Sequence, residues 1–373
     1  MPESGERVEL TKPAINWTIA PSLCYASRVF TLDLNDLHQL VTRTTGHAPA
    51  SVTPMPGGAS SRKFFRVGLA GSPGSCVAMF VPDLAKSDEI AKDTKPRRWP
   101  FLEVRDLLAE RGVRVPALVA DGTETGWTLV EDLGDDTLAE YLIAHPDSKP
   151  LVYETAVRDL ARAQNRLAEL PEESIVRTRA FDFDLLRWEL DHFREWGLDA
   201  LDRPLPEEDR FTFDAVADRL ARRIASFPRG FTHRDYQSRN IMVVHGDDTR
   251  LDLAWVDFQD ALMGPSVYDL VALLNDSYQT FDRAFVEQRL ADYAQEKGLT
   301  AENLALIVRH FDLVTVQRKL KDAGRFVFID RVKKDPSYLQ FVEPTLQKVK
   351  VSLDRLADDP DMARLRTLLT YVF

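Results

Sequence analysis

Three residues between Phe231 and Leu274 have the types and spacing to handle a phosphate ester: Asp235, Asn240 and Asp257. An acidic side chain can receive or orient the proton of an attacking hydroxyl. A carboxylate and an amide oxygen can hold Mg²⁺ against phosphates, because that ion takes few protein oxygens and leaves the rest of its shell to phosphate and water. The chemistry implied is phosphoryl transfer from ATP. Two elements must position these groups. The apolar runs 241–244 and 253–256 flank a polar turn at His245, Gly246, Asp247 and Asp248, which reads as a hairpin. Antiparallel pairing brings the start of one strand beside the end of the other, so two carboxylates and an amide meet at one rim.

The ordered set His233-x-Asp235-x-x-x-x-Asn240 with a downstream Asp-Phe resembles the kinase catalytic signature. Asp257-Phe258-Gln259-Asp260 stands in place of Asp-Phe-Gly, and Gly264-Pro265-x-x-Tyr268-Asp269-Leu270 follows it. In this form the chain resembles the aminoglycoside phosphotransferase family. Within it, the chain is most similar to the branch of N-acetylmuramate/N-acetylglucosamine anomeric kinases. The resemblance implies that Asp235 is the catalytic base and that Asn240 and Asp257 are Mg²⁺ ligands. It implies a bilobal, protein-kinase-like α+β fold with a β-rich N-lobe and a mainly helical C-lobe. It further implies a role in recycling cell-wall sugars.

Composition sets the outer limits. A chain of 373 residues, 44% hydrophobic and 29% charged, is long enough for two lobes with substantial cores. A net charge of −11 argues against binding nucleic acid by neutralising its phosphates. Two cysteines, Cys24 and Cys76, make neither a disulfide framework nor a zinc site. No apolar run approaches the ~18 residues of a membrane span, and the N-terminus lacks a signal peptide's apolar core. The expectation is a cytoplasmic enzyme acting on a small molecule, with neither nucleic acid nor membrane as partner and an oligomeric state left open.

In chain order, residues 1–47 are read as an extension followed by a helix through Leu34, Leu37, Leu40 and Val41, stopped by Gly46. Residues 48–134 are read as the nucleotide-binding N-lobe. Its Pro56–Arg62 turn, with Gly57, Gly58, Ser60, Ser61 and Arg62, would lie over the ATP phosphates, the alternative being an ordinary tight hairpin. Phe80 is placed in the register of the lysine that normally clamps the α- and β-phosphates, which leaves Arg62, Lys63 or Arg66 to supply that charge. Lys92 to Pro100 is read as a loop, and Glu103 on the following helix as part of a solvated face. Glu131 to Gly134, with Glu131 and Leu133 as contacts, would be the adenine-binding hinge between lobes.

Residues 135–373 are read as the helical C-lobe carrying catalysis and the acceptor site. His233 and Asp269 are structural supports of the catalytic loop, and Gly264-Pro265 is a turn into a helix. Asp260 either reaches the acceptor or caps the next turn, while Arg234 and Arg239 are assigned to solvated surface. Seven basic residues from Arg318 to Lys334, against Asp322 and Asp330, are either a solvated helix face or a cationic wall for an acceptor bearing a carboxylate. Arg318 is the candidate for that carboxylate, and Tyr278 and Trp188 are candidates for stacking on a sugar ring. The alternatives are an aminoglycoside or other small-alcohol phosphotransferase and, in another class, a non-catalytic nucleotide-binding protein.

Overall fold

The computed structural model describes residues 29–56, 61–71, 74–83, 98–245 and 251–373. Gly57, Gly58 and Ser60, most of residues 92–100 and the start of the N-terminal extension lie outside them.

Helix α1 (Leu34–Thr45) starts where the Asp33 side chain accepts from the Asn35 N–H at 2.8 Å and ends at Gly46 with φ 79°. Strands β1 (Ser51–Pro54), β2 (Lys63–Gly68), β3 (Ser75–Phe80), β4 (Leu118–Gly122) and β5 (Trp127–Glu131) form one antiparallel sheet in the order β1-β2-β3-β5-β4. Helix α2 (Pro100–Glu110) connects β3 to β4.

Alternation along the strands gives the sheet two different faces. One buries Val67, Cys76, Ala78, Phe80, Trp127 and Leu129 against Leu37, Leu40 and Val41 of α1. The other turns Phe64, Val77, Met79 and Val130 toward a cleft. Phe80, expected in the lysine's register, lies on the α1 side with its ring 5.0 Å from Trp127. The pocket-facing residues of β3 are Val77 and Met79, and neither carries charge.

Beyond the hinge come α3 (Leu138–Ala144), α4 (Lys149–Arg166), α5 (Ile175–Thr178), α6 (Phe183–His192) and α7 (Glu207–Ala225). Strand β6 (Arg229–Thr232) precedes the hairpin of β7 (Ile241–His245) and β8 (Leu251–Trp255), which pairs Ile241 with Trp255. Strand β9 (Leu262–Pro265) pairs with β6, joining Arg229 to Pro265. This corrects the reading of Gly264-Pro265 as a helix start. Proline closes a strand end without needing a ladder N–H, and a Cβ on Gly264 would sit 2.8 Å from the Thr232 hydroxyl of β6.

The chain finishes with α8 (Tyr268–Leu274), α9 (Arg283–Lys297), α10 (Ala301–Lys333), α11 (Val342–Arg355) and α12 (Pro360–Leu368). The 33-residue α10 opens with a capping box between Thr300 and Asn303 and is buried along most of residues 311–329. Gly324 lets it approach the π-helical turn at Phe193–Leu198, where an added Cβ would meet the Phe193 Cα at 2.8 Å.

Candidate active site

The loop from His233 to Asn240, between β6 and β7, is held from below by side chains of distant elements. Asp269 at the start of α8 accepts from the backbone N–H of His233 at 2.7 Å and of Arg234 at 2.9 Å. Seven residues on, just past the end of α8, Asp276 accepts from the Ser238 N–H at 2.9 Å and from its hydroxyl at 2.5 Å. From α10, Arg318 donates to the Arg234 carbonyl at 2.6 Å. These bonds hold Arg234 at φ 76°, a left-handed conformation disfavoured for a residue with a Cβ. Burial pushes the Asp269 carboxyl up to about 7, against the two backbone donors and Arg318.

His233 is fully buried, with Nε2 3.1 Å from the Val256 carbonyl. Its other ring nitrogen finds no partner among the described residues, and burial keeps its pKa below the ordinary histidine value. A neutral ring donating from Nε2 ties the loop to the strand end that carries Asp257.

The Asp235 side chain rises from this loop into the cleft, 41% exposed, with Oδ1 3.3 Å from Nη2 of Arg318. Burial pushes its carboxyl up, but Arg318, with Lys321, Arg234 and His233, outweighs this and holds it below the ordinary aspartate value. The carboxylate is therefore ionised at neutral pH. Asn240 donates from Nδ2 to the Asp235 carbonyl at 2.9 Å. A carbonyl can only accept, so this bond fixes the amide's orientation and leaves Oδ1 as the oxygen facing outward. The Asn240 carbonyl in turn accepts from the Val256 N–H at 3.0 Å, locking the two segments one residue short of Asp257. Asp257 itself has φ 62°, a second left-handed residue at the site beside Arg234.

Among the described residues no group of three or more His, Cys, Asp or Glu could hold a metal by itself. Asn240 Oδ1 and the Asp257 carboxylate make a two-oxygen donor set that fits Mg²⁺, a hard ion that completes its shell with phosphate and water.

A cleft of about 770 Å³ joins these groups to the sheet. Its sheet side is apolar, with Met55, Phe64, Val77, Met79, Phe101 and Val130. Glu131 and Leu133 both line it but differ in what they offer. The Glu131 side chain is clamped by Arg114 at 2.5 and 2.7 Å, and its N–H is spent on the Ala117 carbonyl. Leu133 contributes backbone groups that bond to no other described residue. Ser61 is exposed and does not line the cleft.

The three candidate cations at and just before β2 separate cleanly. Lys63 is exposed and points away from the cleft. Arg66 binds Asp132 at 2.7 Å and Asp135 at 2.7 Å, bracing the hinge. Arg62 reaches across the cleft to Asp257 Oδ1 at 2.6 Å and to Gln259 Oε1 at 2.9 Å.

The opposite half of the cleft is lined by Asp260, Tyr278, Lys321, Asp322, Arg325, Lys333 and Tyr338. Here several assignments need correction. Arg318 and Lys319 are buried, not solvated, and Lys319 pairs with Asp322 at 2.8 Å. Arg318 lies 4.6 Å from the centre of the Tyr268 ring and spends its guanidinium on Arg234 and Asp235. Arg234 is 4% exposed, because its side chain turns inward toward Glu189 and Phe181. Arg239 is exposed but stacks on Tyr278, its guanidinium 3.6 Å from the ring centre. Asp260 lines the cleft and accepts from Gln259 Nε2 at 3.3 Å. Trp188 sits on α6 away from the cleft, stacked with His192. Glu103 is not on a solvated face: one oxygen accepts from the Ile175 N–H at 2.7 Å and the other is buried. Sequence reasoning missed Asp276, although its seven-residue spacing from Asp269 marks a second carboxylate on the same side of the catalytic loop.

Residues 51–303 match the model of the phosphotransferase enzyme family. The chain belongs to the phosphotransferase enzyme family. Within it, this phosphotransferase is 32% identical to an N-acetylmuramate/N-acetylglucosamine kinase of Pseudomonas aeruginosa, covering 86% of this chain and 88% of the relative. It is 30% identical to the enzyme of the same name from Pseudomonas putida, covering 90% and 92%. Among solved structures it superposes on an ethanolamine kinase of Plasmodium vivax with a TM-score of 0.57, covering 80% of this chain and 82% of that one at 13% identity. An ADP-bound aminoglycoside phosphotransferase gives a TM-score of 0.54 at 16% identity, covering 85% and 98%. At such identities these two matches establish the fold, which is that of the bilobal kinases. The phosphotransferase acts on a hydroxyl acceptor, and among its described residues no helix is long and apolar enough to cross a membrane.

Proposed function

We propose that this phosphotransferase uses ATP to phosphorylate the anomeric hydroxyl of N-acetylmuramate and N-acetylglucosamine, in the cytoplasm, as part of cell-wall sugar recycling. The observation that carries the reading is the position of Asp235. It is ionised and two-fifths exposed, between the Asn240–Asp257 end of the cleft and the half lined by Lys321, Arg325 and Lys333. In this reading residues 48–134 are the nucleotide lobe and 135–373 the lobe of catalysis and acceptor choice. Leu133 receives adenine through its backbone, and the 56–62 turn with Arg62 meets the phosphates. Asp235 orients the sugar hydroxyl and takes its proton. Mg²⁺ held by Asn240 and Asp257 neutralises charge on the phosphates when bound.

The acceptor half supports an anionic or neutral sugar over a polycationic one, because clustered cations repel aminoglycosides. The guanidinium of Arg318 is committed to Asp235, so a lactyl carboxylate meets Lys321, Arg325 or Lys333 in its place. Asp260 and Tyr278 remain the candidates for sugar hydroxyls and the ring face.

A phosphorus NMR screen with MgATP and a panel of free sugars tests this. The expected result is an acid-labile phosphate, coupled to an anomeric proton, on N-acetylmuramate or N-acetylglucosamine and absent with Asp235→Ala. Turnover of kanamycin-type acceptors with neither sugar consumed would overturn it.

A further inference from the structure

Two departures from the general kinase pattern lie at the cleft that Arg62 lines. The cleft face of β3 carries Val77 and Met79 and no cation, and Gln259 stands where Asp-Phe-Gly has glycine. Arg62 bonds to Gln259 and lines the same cleft as Met79. Phe64 is the direct partner of Met79 across β2 and β3. Arg62 lies two residues before Phe64, just ahead of the ladder, and both line the cleft with Met79. Its guanidinium then crosses to the other lobe. Nη2 donates to Asp257 Oδ1 at 2.6 Å and Nη1 to Gln259 Oε1 at 2.9 Å. Gln259 donates back to the same Asp257 oxygen at 3.1 Å and to Asp260 at 3.3 Å. A glycine at 259 could do none of this.

We propose that Arg62 is both the phosphate-clamping cation of this enzyme and the counter-ion that competes with the divalent metal for Asp257. This rests on the reading of Asp257 as a metal ligand. A guanidinium 2.6 Å from a carboxylate oxygen neutralises it and shields it from a second cation. A divalent ion arriving alone must expel Arg62 into the cleft with no new anion to receive it. The same ion arriving with a nucleotide brings phosphate oxygens, and Arg62 exchanges one anionic partner for another. Ion pairing is conserved, so metal and nucleotide bind together far better than the metal alone. Gln259 holds the guanidinium during the exchange, which makes the 79 and 259 departures one change: the clamp moved from β3 to the entry of β2 and acquired an anchor in the other lobe.

The test measures binding and needs no turnover. Mn²⁺ binding without nucleotide, read by electron paramagnetic resonance of the free ion, and MgADP binding, read by calorimetry, are compared in the wild type and in Arg62→Gln. The expected result is opposite signs: Mn²⁺ alone binds about 10-fold tighter and MgADP about 10-fold weaker. Adding Met79→Lys to Arg62→Gln restores most of the MgADP affinity, because the cation returns to β3. Gln259→Gly tightens Mn²⁺ alone by a smaller factor. A contact that merely clasps the lobes would weaken both ligands together in Arg62→Gln, and that result, or unchanged Mn²⁺ binding, overturns the proposal. Asp257→Ala separates the two failures. If it leaves Mn²⁺ binding intact in the presence of ADP, the assignment of Asp257 to the metal is wrong. If it abolishes that binding while Arg62→Gln leaves Mn²⁺ alone unaffected, only the exchange is wrong.

Discussion

The arginines of β2 and the basic run of α10 are both paired with acids around one cleft, yet they are built for different purposes. Arg62 and Arg66 are 17% and 32% exposed, and they face Asp257 and Asp135, which are 36% and 77% exposed. Arg318 and Lys319 are 3% and 2% exposed and share Asp322. Water reaches the first set, so its pairs exchange cheaply and contribute little to stability. The second set is dry. Losing the shared Asp322 would strand buried cations, whereas the intact set fixes geometry. The sheet side of the cleft therefore has movable cations and the 233–240 loop a rigid frame of them. Asp235 belongs to the frame through Arg318 while its own carboxylate reaches solvent.

The sharpest way to break that contrast is to remove the group it serves. Asp235→Asn keeps the size and the contact with Arg318, so MgADP should bind as in the wild type. The turnover number should fall by about 10²–10⁴-fold, the range for losing a positioned general base. Single-turnover assays beside calorimetry of MgADP check both halves of the statement.

Next in size is stability. Arg318→Met takes the guanidinium from Asp235 and the donor from the Arg234 carbonyl, while Asp322 keeps Lys319 and Lys321, so chemical denaturation should show a loss of about 2–3 kcal/mol. Arg66→Gln removes more hydrogen bonds by count, yet its guanidinium is 32% exposed and Asp135 77%, and the more buried Asp132 keeps the Ser75 hydroxyl and the Gly134 N–H, so the loss should be about 1 kcal/mol. Equal losses for the two variants would erase the distinction between frame and exchangeable pairs.

The contrast also explains which parts of the fold were legible in the sequence. The hairpin around Asn240 and Asp257, the α1 stop at Gly46 and the antiparallel N-lobe strands announce themselves through local alternation, spacing and turn residues. These are short-range signals, and the structure follows them. The misreadings share a cause: each depended on what a distant element brings. Phe80 is on the far face because α1 supplies the hydrophobic partner for that side of the sheet. Pro265 ends a strand because β6 lies beside it, thirty-six residues earlier at Arg229. Glu103, Arg234 and the start of the α10 basic run look solvated as sequence, since charged runs usually are. They turn inward because Ile175, Glu189 and Asp322 come to meet them. Asp276 escaped notice because its role is defined by the catalytic loop's backbone, which no composition rule exposes.

Gly324 tests how tightly the frame is seated. Its Cα side meets the backbone of the π-helical turn, with the Phe193 Cα at 2.8 Å and the His192 carbonyl at 3.0 Å from an added Cβ. Backbone atoms cannot swing aside as side chains do, so Gly324→Ala must push α10 away from that turn. The expected loss is about 1–3 kcal/mol, read by the same denaturation experiment. Because Arg318 rides on α10, turnover should fall as well, while MgADP affinity should stay within error.

The smallest expected effect is the most specific one. Lys321 lines the cleft and pairs with Asp322 at 3.3 Å, and it helps hold the Asp235 carboxyl below the ordinary aspartate value. Lys321→Met removes that charge while keeping most of the stem's packing. With one cation fewer, the ionised form of Asp235 is less favoured, so its pKa rises toward the ordinary value. A base must be ionised to accept a proton, so activity is lost as pH falls through that pKa. The acid limb of kcat/KM should therefore move to higher pH in Lys321→Met and leave the alkaline limb in place. Arg66→Gln, whose charge lies at the hinge, should not move the acid limb. A shift of the same size in both variants would mean that the limb reports the field of the whole protein and not the frame on α10.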